Sequence, residues 1–174
     1  MKRSRINQVI KDMEALAKEN GFHLPPFCSW TPEEWDKKGH ECDEIRDNKL
    51  GWDITDYGLG RFDELGFALV TIRNGNLKDP KYKKPYAEKL LMLYPGQDSP
   101  LHYHWSKMED IINRGGNDLY ITVFNGAEGN KQLDTDVTVV TDGVKRTVPA
   151  GTRIKLSSIF SVVAPFLDVT PDQC

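Results

Sequence analysis

The chain lacks most of the features that sort a 174-residue sequence quickly into a class. It has only three cysteines, Cys28, Cys42 and Cys174, an odd number without metal-type spacing. That argues against a disulfide framework and suits a reducing compartment. No apolar run approaches the ~20 residues that a membrane-spanning helix needs. Lys11, Asp12 and Glu14 interrupt anything that could serve as a signal-peptide core, so a cytoplasmic protein is expected. Charge of one sign is also missing. With 23 basic and 26 acidic side chains the net charge is −3, too weak a field to draw nucleic acid or anionic lipid. No serine stands in a Gly-x-Ser-x-Gly setting, which leaves a triad hydrolase without support. Gly58-x-Gly60 lacks the third glycine of a dinucleotide fingerprint, Asp63 occupying that place. Internal repeats and low-complexity linkers are absent too, so a single domain over 1–174 is expected.

Two kinds of periodicity are present. Ile6, Val9, Ile10, Met13, Leu16 and Ala17 recur at helical spacing, so residues 4–19 read as an amphipathic helix closed by Asn20-Gly21. Thr31-Pro32-Glu33-Glu34 starts a second, short helix, with threonine as N-cap and proline in the first turn. Trp30 and Trp35 beside it read as packing residues. From Gly51 onward the pattern turns to strands at 51–56, 67–73, 87–94, 101–105, 109–113, 118–124, 137–141, 144–148 and 152–156. Turn residues separate them, Asn125-Gly126 and Asp142-Gly143 included, and the latter carries the signature of a primed hairpin turn. Many short strands with frequent turns predict an all-β core of sandwich or barrel type with helices at the N-terminus. The basic and aromatic run Lys78 to Lys84 reads as a solvated loop in an acidic chain. His23 and His40 have no partner at ligand spacing.

The sharpest chemical feature is His102-Tyr-His104, followed by Glu109. On a strand, residues i and i+2 face the same way, so the two imidazoles share a side. A turn over residues 106–108 and a returning strand would bring the Glu109 carboxylate beside them. Two nitrogens and one oxygen then suit one divalent metal and leave positions for substrate. Glycines bracket the block, and Gly96-x5-His102-x-His104-x4-Glu109-x6-Gly116 resembles the first motif of the cupin superfamily. The fold this implies is a cupin-type β-barrel, or jelly roll.

The resemblance extends further. Leu50-Gly-Trp-Asp53-Ile-Thr-Asp56-Tyr-Gly58-Leu-Gly60, Thr71-Ile-Arg-Asn74-Gly75, Ala87-Glu88-Lys89 and the block 102–116 are similar to the bacterial D-lyxose isomerases. So are Pro25-Pro26-Phe27 and Thr31-Pro32-Glu33-Glu34-Trp35. Membership implies a manganese-dependent aldose–ketose isomerase taking D-lyxose to D-xylulose, and D-mannose to D-fructose, through an enediolate. It implies His102, His104 and Glu109 as ligands to Mn2+, Lys89 lining the sugar site, a monosaccharide as the small-molecule partner, and a homodimer. For Lys89 the plain alternative is an exposed strand lysine. Residues 1–49 would be helical decoration, 50–156 the barrel, and 157–174 a divergent tail.

After about residue 156 the resemblance stops in this reading, and the chain looks C-terminally truncated or altered. The family supplies a further ligand histidine from late in the barrel, yet no histidine follows His104 here. Gly143-x5-Pro149-x-Gly151 has the outline of a second cupin motif, with Ile154 where a histidine would stand. Weaker metal binding is expected, along with an unpaired barrel edge with which the apolar residues 159–167 could pair. Two other functions fit the same residues. The donor set could hold iron for an Fe(II) oxygenase, or the chain could be a non-catalytic sugar- or metal-binding remnant. The sequence singles out no general base.

Overall fold

In the computed structural model the helical run near the N-terminus becomes α1 (Arg3–Glu19), with Val9, Met13 and Ala17 on its buried side. The structure describes residues 1–103, 108–129, 131–158, 161–163 and 166–171. They fall in two compact units, Met1–Gly60 with Phe67–Met92, and Arg61–Gly66 with Leu93–Cys174. Among the described residues no helix is long and apolar enough to cross a membrane.

The first unit is a three-stranded antiparallel sheet of β1 (Gly51–Thr55), β2 (Phe67–Arg73) and β3 (Glu88–Met92), ordered β1-β2-β3. Alternation puts Ala68, Val70 and Ile72 on one face and Leu69 and Thr71 on the other. All five are buried, which is why β2 reads as a continuous apolar run. Trp52 pairs with Val70, and its indole N–H donates to the Cys28 carbonyl at 3.0 Å, so the N-terminal segment covers that face. Helix α1 packs on β1 and β2. Burial pushes the Cys28 thiol up to about 11, so it stays protonated and unreactive.

Two short helices complete this unit, α2 (Pro32–Trp35) and α3 (Asp43–Asp47). The expected Thr31 cap on α2 is present and doubled. Thr31 Oγ1 accepts from the Glu34 N–H at 3.2 Å, and the Glu34 carboxylate accepts from the Thr31 N–H at 2.8 Å. Trp30 and Trp35 meet edge to face with centroids 5.1 Å apart, so the pair is indeed packing.

Helices α1 and α3 end in the same motif with different residues. After α1, Gly21 (φ +70°) donates to the Lys18 carbonyl and Phe22 to that of Ala17. After α3, Lys49 donates to the Arg46 carbonyl and Leu50 to that of Ile45. The left-handed position there is held by a lysine at φ +54°. A side chain in that region costs on the order of 1 kcal/mol relative to glycine.

The basic run after β2 is fastened rather than free. Lys84 pairs with Glu44, Tyr82 donates to Asp47, and Lys81 lies 3.9 Å from the same Asp47 carboxylate. Both acids belong to α3 or its last residue. The loop closes on itself at Gly75, where a Cβ would come within 2.1 Å of the Lys84 carbonyl oxygen, so only glycine fits. Lys78 and Lys83 of the same run are exposed and have no ion-pair partner among the described residues.

The second unit holds two four-stranded sheets and a small hairpin. One sheet runs β10 (Val144–Val148), β9 (Val137–Thr141), β12 (Ser161–Val163), β5 (Asp110–Ile112). The other runs β11 (Thr152–Leu156), β6 (Leu119–Val123), β13 (Phe166–Pro171), β4 (Ser99–Tyr103). The hairpin pairs β7 (Asn125–Ala127) with β8 (Lys131–Leu133). Alternate residues of both large sheets, Ile121, Val123, Leu156, Val137, Val139 and Val162, form one buried apolar cluster. The result is a β-rich, cupin-like fold with few helices. Asp142 (φ +48°) and Gly143 (φ +80°) make the primed turn of the β9–β10 hairpin as expected.

The strand assignments at 51–56 through 152–156 hold, with ends shifted by a few residues. Two expectations need correction. Asn125-Gly126 is not a turn but lies in β7, its asparagine amide donating to Thr135 Oγ1 and the Asp136 carbonyl. The segment after Leu156 is no loose tail: β12 inserts between β9 and β5, and β13 between β6 and β4. Both strands therefore have neighbours on each side rather than patching one edge.

Candidate functional site

His102 lies on β4, paired with Leu167 of β13, and its ring is exposed. Its Nδ1 sits 2.9 Å from the Pro100 carbonyl oxygen. A carbonyl only accepts, so in the neutral imidazole this contact puts the proton on Nδ1 and the lone pair on Nε2. Metal-ligating histidines commonly have one ring nitrogen fixed in this way by a carbonyl or carboxylate. Glu109 is half-buried and immediately precedes β5. His104, the third member of the sequence set, lies outside the described residues. Among the described residues no three His, Cys, Asp or Glu side chains gather as a ligand group. The donors that can be placed, an imidazole nitrogen and a carboxylate, suit a divalent first-row metal.

The expected turn over residues 106–108 lies largely outside the described residues, and only the strands on either side can be placed. β4 is the last strand of one sheet and β5 the last strand of the other. The chain therefore changes sheets between His102 and Glu109.

Asn113 anchors the far end of β5. Its amide donates to the Asn117 carbonyl at 3.0 Å and the Leu156 carbonyl at 2.8 Å, and its oxygen accepts from the Gly115 N–H at 3.1 Å. The residue is 6 % exposed, so each bond replaces water that cannot reach the group. We expect Asn113→Ala to destabilise the protein by roughly 1–3 kcal/mol through the carbonyls it leaves unpaired. A lower urea midpoint at unchanged slope would register the loss.

Lys89 lies on β3 in the first unit, exposed as the plain alternative supposed, but on the wall of a cleft of about 380 Å³. This volume is in the range of small-molecule sites, roughly 300–1,000 Å³. Lys49, Gly51, Asp53, Thr71 and Asn74 also line it. Register explains the grouping, because Gly51, Thr71 and Lys89 are direct cross-strand neighbours on one sheet face, and Asp53 opposes Leu69 in the next row. The pairing of β2 with β3 slips between Thr71 and Arg73, beside Lys89. Such bulges locally twist a strand and re-aim its side chains. Sequence reasoning gave no role to Asp53, Thr71 and Asn74 and missed Lys49. Nothing local marks these four as neighbours, because only the strand register brings them together.

Ile154, at the position where a second cupin motif would carry histidine, pairs with Ile121 and packs on the apolar cluster of the second unit. It is half-buried against that cluster, and an isoleucine offers no ligand atom at this position.

Comparison with known proteins fits this arrangement. The family model for D-lyxose isomerase matches residues 1–166, past Leu156 where the sequence reading had ended the resemblance. A D-lyxose/D-mannose isomerase of Escherichia coli O157:H7 is 40% identical over 166 residues, covering 95% of this chain and 73% of the relative. A D-lyxose/D-mannose isomerase of Serratia proteamaculans is 39% identical over 158 residues, covering 90% of this chain and 69% of the relative. The chain belongs to the D-lyxose isomerase family and is thereby a sugar isomerase.

Proposed function

We propose that the chain interconverts D-lyxose and D-xylulose, and D-mannose and D-fructose, as a metal-dependent aldose–ketose isomerase that works with Mn2+ as a homodimer. The observation that carries this reading is the family match over residues 1–166, which takes in a motif containing His102, His104 and Glu109. The names of the relatives supply the sugars.

Moving a carbonyl between C1 and C2 requires a proton to leave one carbon and arrive at the other while negative charge develops on the vicinal oxygens. A divalent ion, when bound, supplies Lewis acidity to those oxygens. His102, His104 and Glu109 would hold it. The Pro100 carbonyl keeps the His102 ring in the tautomer that can ligate. Lys89 offers an ammonium to a sugar oxygen as charge builds on it.

The test is a coupled assay for D-xylulose with D-lyxose as substrate. Turnover should require Mn2+, disappear on chelation, and return when the ion is restored. A folded, metal-loaded protein that turns over neither D-lyxose nor D-mannose would overturn the reading.

A further inference from the structure

We propose that Lys49 is a substrate-binding residue of the cleft in the first unit, holding hydroxyl oxygens of a monosaccharide there together with Lys89. The ligand class rests on the sugar-isomerase reading, whereas the choice of residue rests on backbone conformation and placement.

The backbone gives the first argument. Both α1 and α3 close with the same pair of reverse hydrogen bonds, and both need a left-handed residue just past the cap. After α1 that residue is glycine, the unstrained solution. After α3 it is Lys49, held at φ +54°. Residues kept in sparsely populated backbone regions cluster at ligand sites, where the strain serves a purpose. Here the purpose is visible in the placement, since Lys49 lines the 380 Å³ cleft and a glycine there would leave that wall bare.

Charge gives the second. On the neighbouring loop Lys84 pairs with Glu44 and Lys81 lies 3.9 Å from Asp47, whereas Lys78 and Lys83 have no ion-pair partner among the described residues and do not line the cleft. Among the described residues neither Lys49 nor Lys89 has an ion-pair partner, and Asp53 has none either. The cleft thus presents two groups that only donate hydrogen bonds and one that only accepts, with the hydroxyl of Thr71 able to do both and the Asn74 amide held by the Asn48 carbonyl at 2.9 Å. A neutral polyol matches this mixture, because each of its hydroxyls has lone pairs for an ammonium and a proton for a carboxylate. A multiply charged anion does not, because it would face the Asp53 carboxylate. Gly51 keeps the floor open, with nothing within 4 Å of where its Cβ would lie.

The decisive variant is Lys49→Gly, since it separates folding from binding. Relief of the left-handed strain should raise Tm by a few degrees, roughly 2–4 °C. The KM for D-lyxose should rise about tenfold or more, as expected for loss of a hydrogen bond to a charged group, with kcat and bound Mn2+ near wild type. Lys49→Arg keeps both strain and charge, and should recover much of the lost affinity. A Lys49→Gly protein with raised Tm and unchanged KM would overturn the proposal. Direct binding of D-lyxose, followed by saturation-transfer NMR, keeps the two readings apart. Sugar binding by wild type without turnover would sink the isomerase reading and leave Lys49 to be judged by the variant's dissociation constant. Turnover by wild type with an unaltered KM in the variant would sink Lys49 alone.

Discussion

On the proposal that Glu109 holds a divalent metal, replacing it with alanine is expected to abolish metal binding and lower kcat/KM by more than roughly 10²-fold. The magnitude follows by comparison. Altering a group that merely orients a ligand costs about 10–100-fold in affinity or activity, and removing a ligand's own donor oxygen should exceed that. In the proposed set His102 and His104 would be the ligands that remain. Glu109→Ala should still fold, because the half-buried carboxylate precedes β5 and is no part of the apolar cluster. Metal content measured beside kcat/KM decides the matter. A variant that keeps its ion and its activity would remove Glu109 from the ligand set and with it the metal assignment.

Ile121→Ala should give the largest loss of stability among single core truncations, roughly 2–5 kcal/mol. The side chain is 0 % exposed and lies on β6, flanked by Ile154 on β11 and Val169 on β13. Deleting three carbons there opens a void between two sheets whose other contributors, Val123, Val137, Val139, Leu156 and Val162, are themselves 0–1 % exposed and held by strand pairing. Close-packed neighbours of this kind relax little, so the cavity contribution adds to the lost transfer free energy. Denaturant unfolding followed by tryptophan fluorescence and circular dichroism measures the change. A loss below about 1 kcal/mol would mean that this cluster is not the centre of the second unit's core.

Much of this could be read from the residues alone, and each exception has a physical cause. The amphipathic spacing of α1, the Thr31 cap and the Asp142-Gly143 turn are local signals, and each appears where the local pattern puts it. β7 escaped because Asn125-Gly126 has the composition of a turn. A cross-strand partner in β8 and hydrogen bonds from the Asn125 amide outweigh that preference. The segment beyond Leu156 was legible as apolar and pairable but not as two inserted strands, because insertion depends on gaps left by β9 and β5 and by β6 and β4. The sequence named His102, His104 and Glu109 as candidate donors, but not that β4 and β5 lie in different sheets.

By itself the sequence determined most element types and turn positions and the family to which the chain belongs, and it named His102, His104 and Glu109 as candidate donors. Tertiary structure alone decided that Ile154 packs against the apolar cluster, that Lys81 and Lys84 meet acids of α3, and that Lys49, Asp53, Thr71 and Lys89 share one cleft. The reason is the range of the interactions. Periodicity reports which face a side chain occupies, a property of a few consecutive residues. Which strand lies opposite, and in what register, depends on contacts between residues far apart in the chain, and no local pattern carries that information.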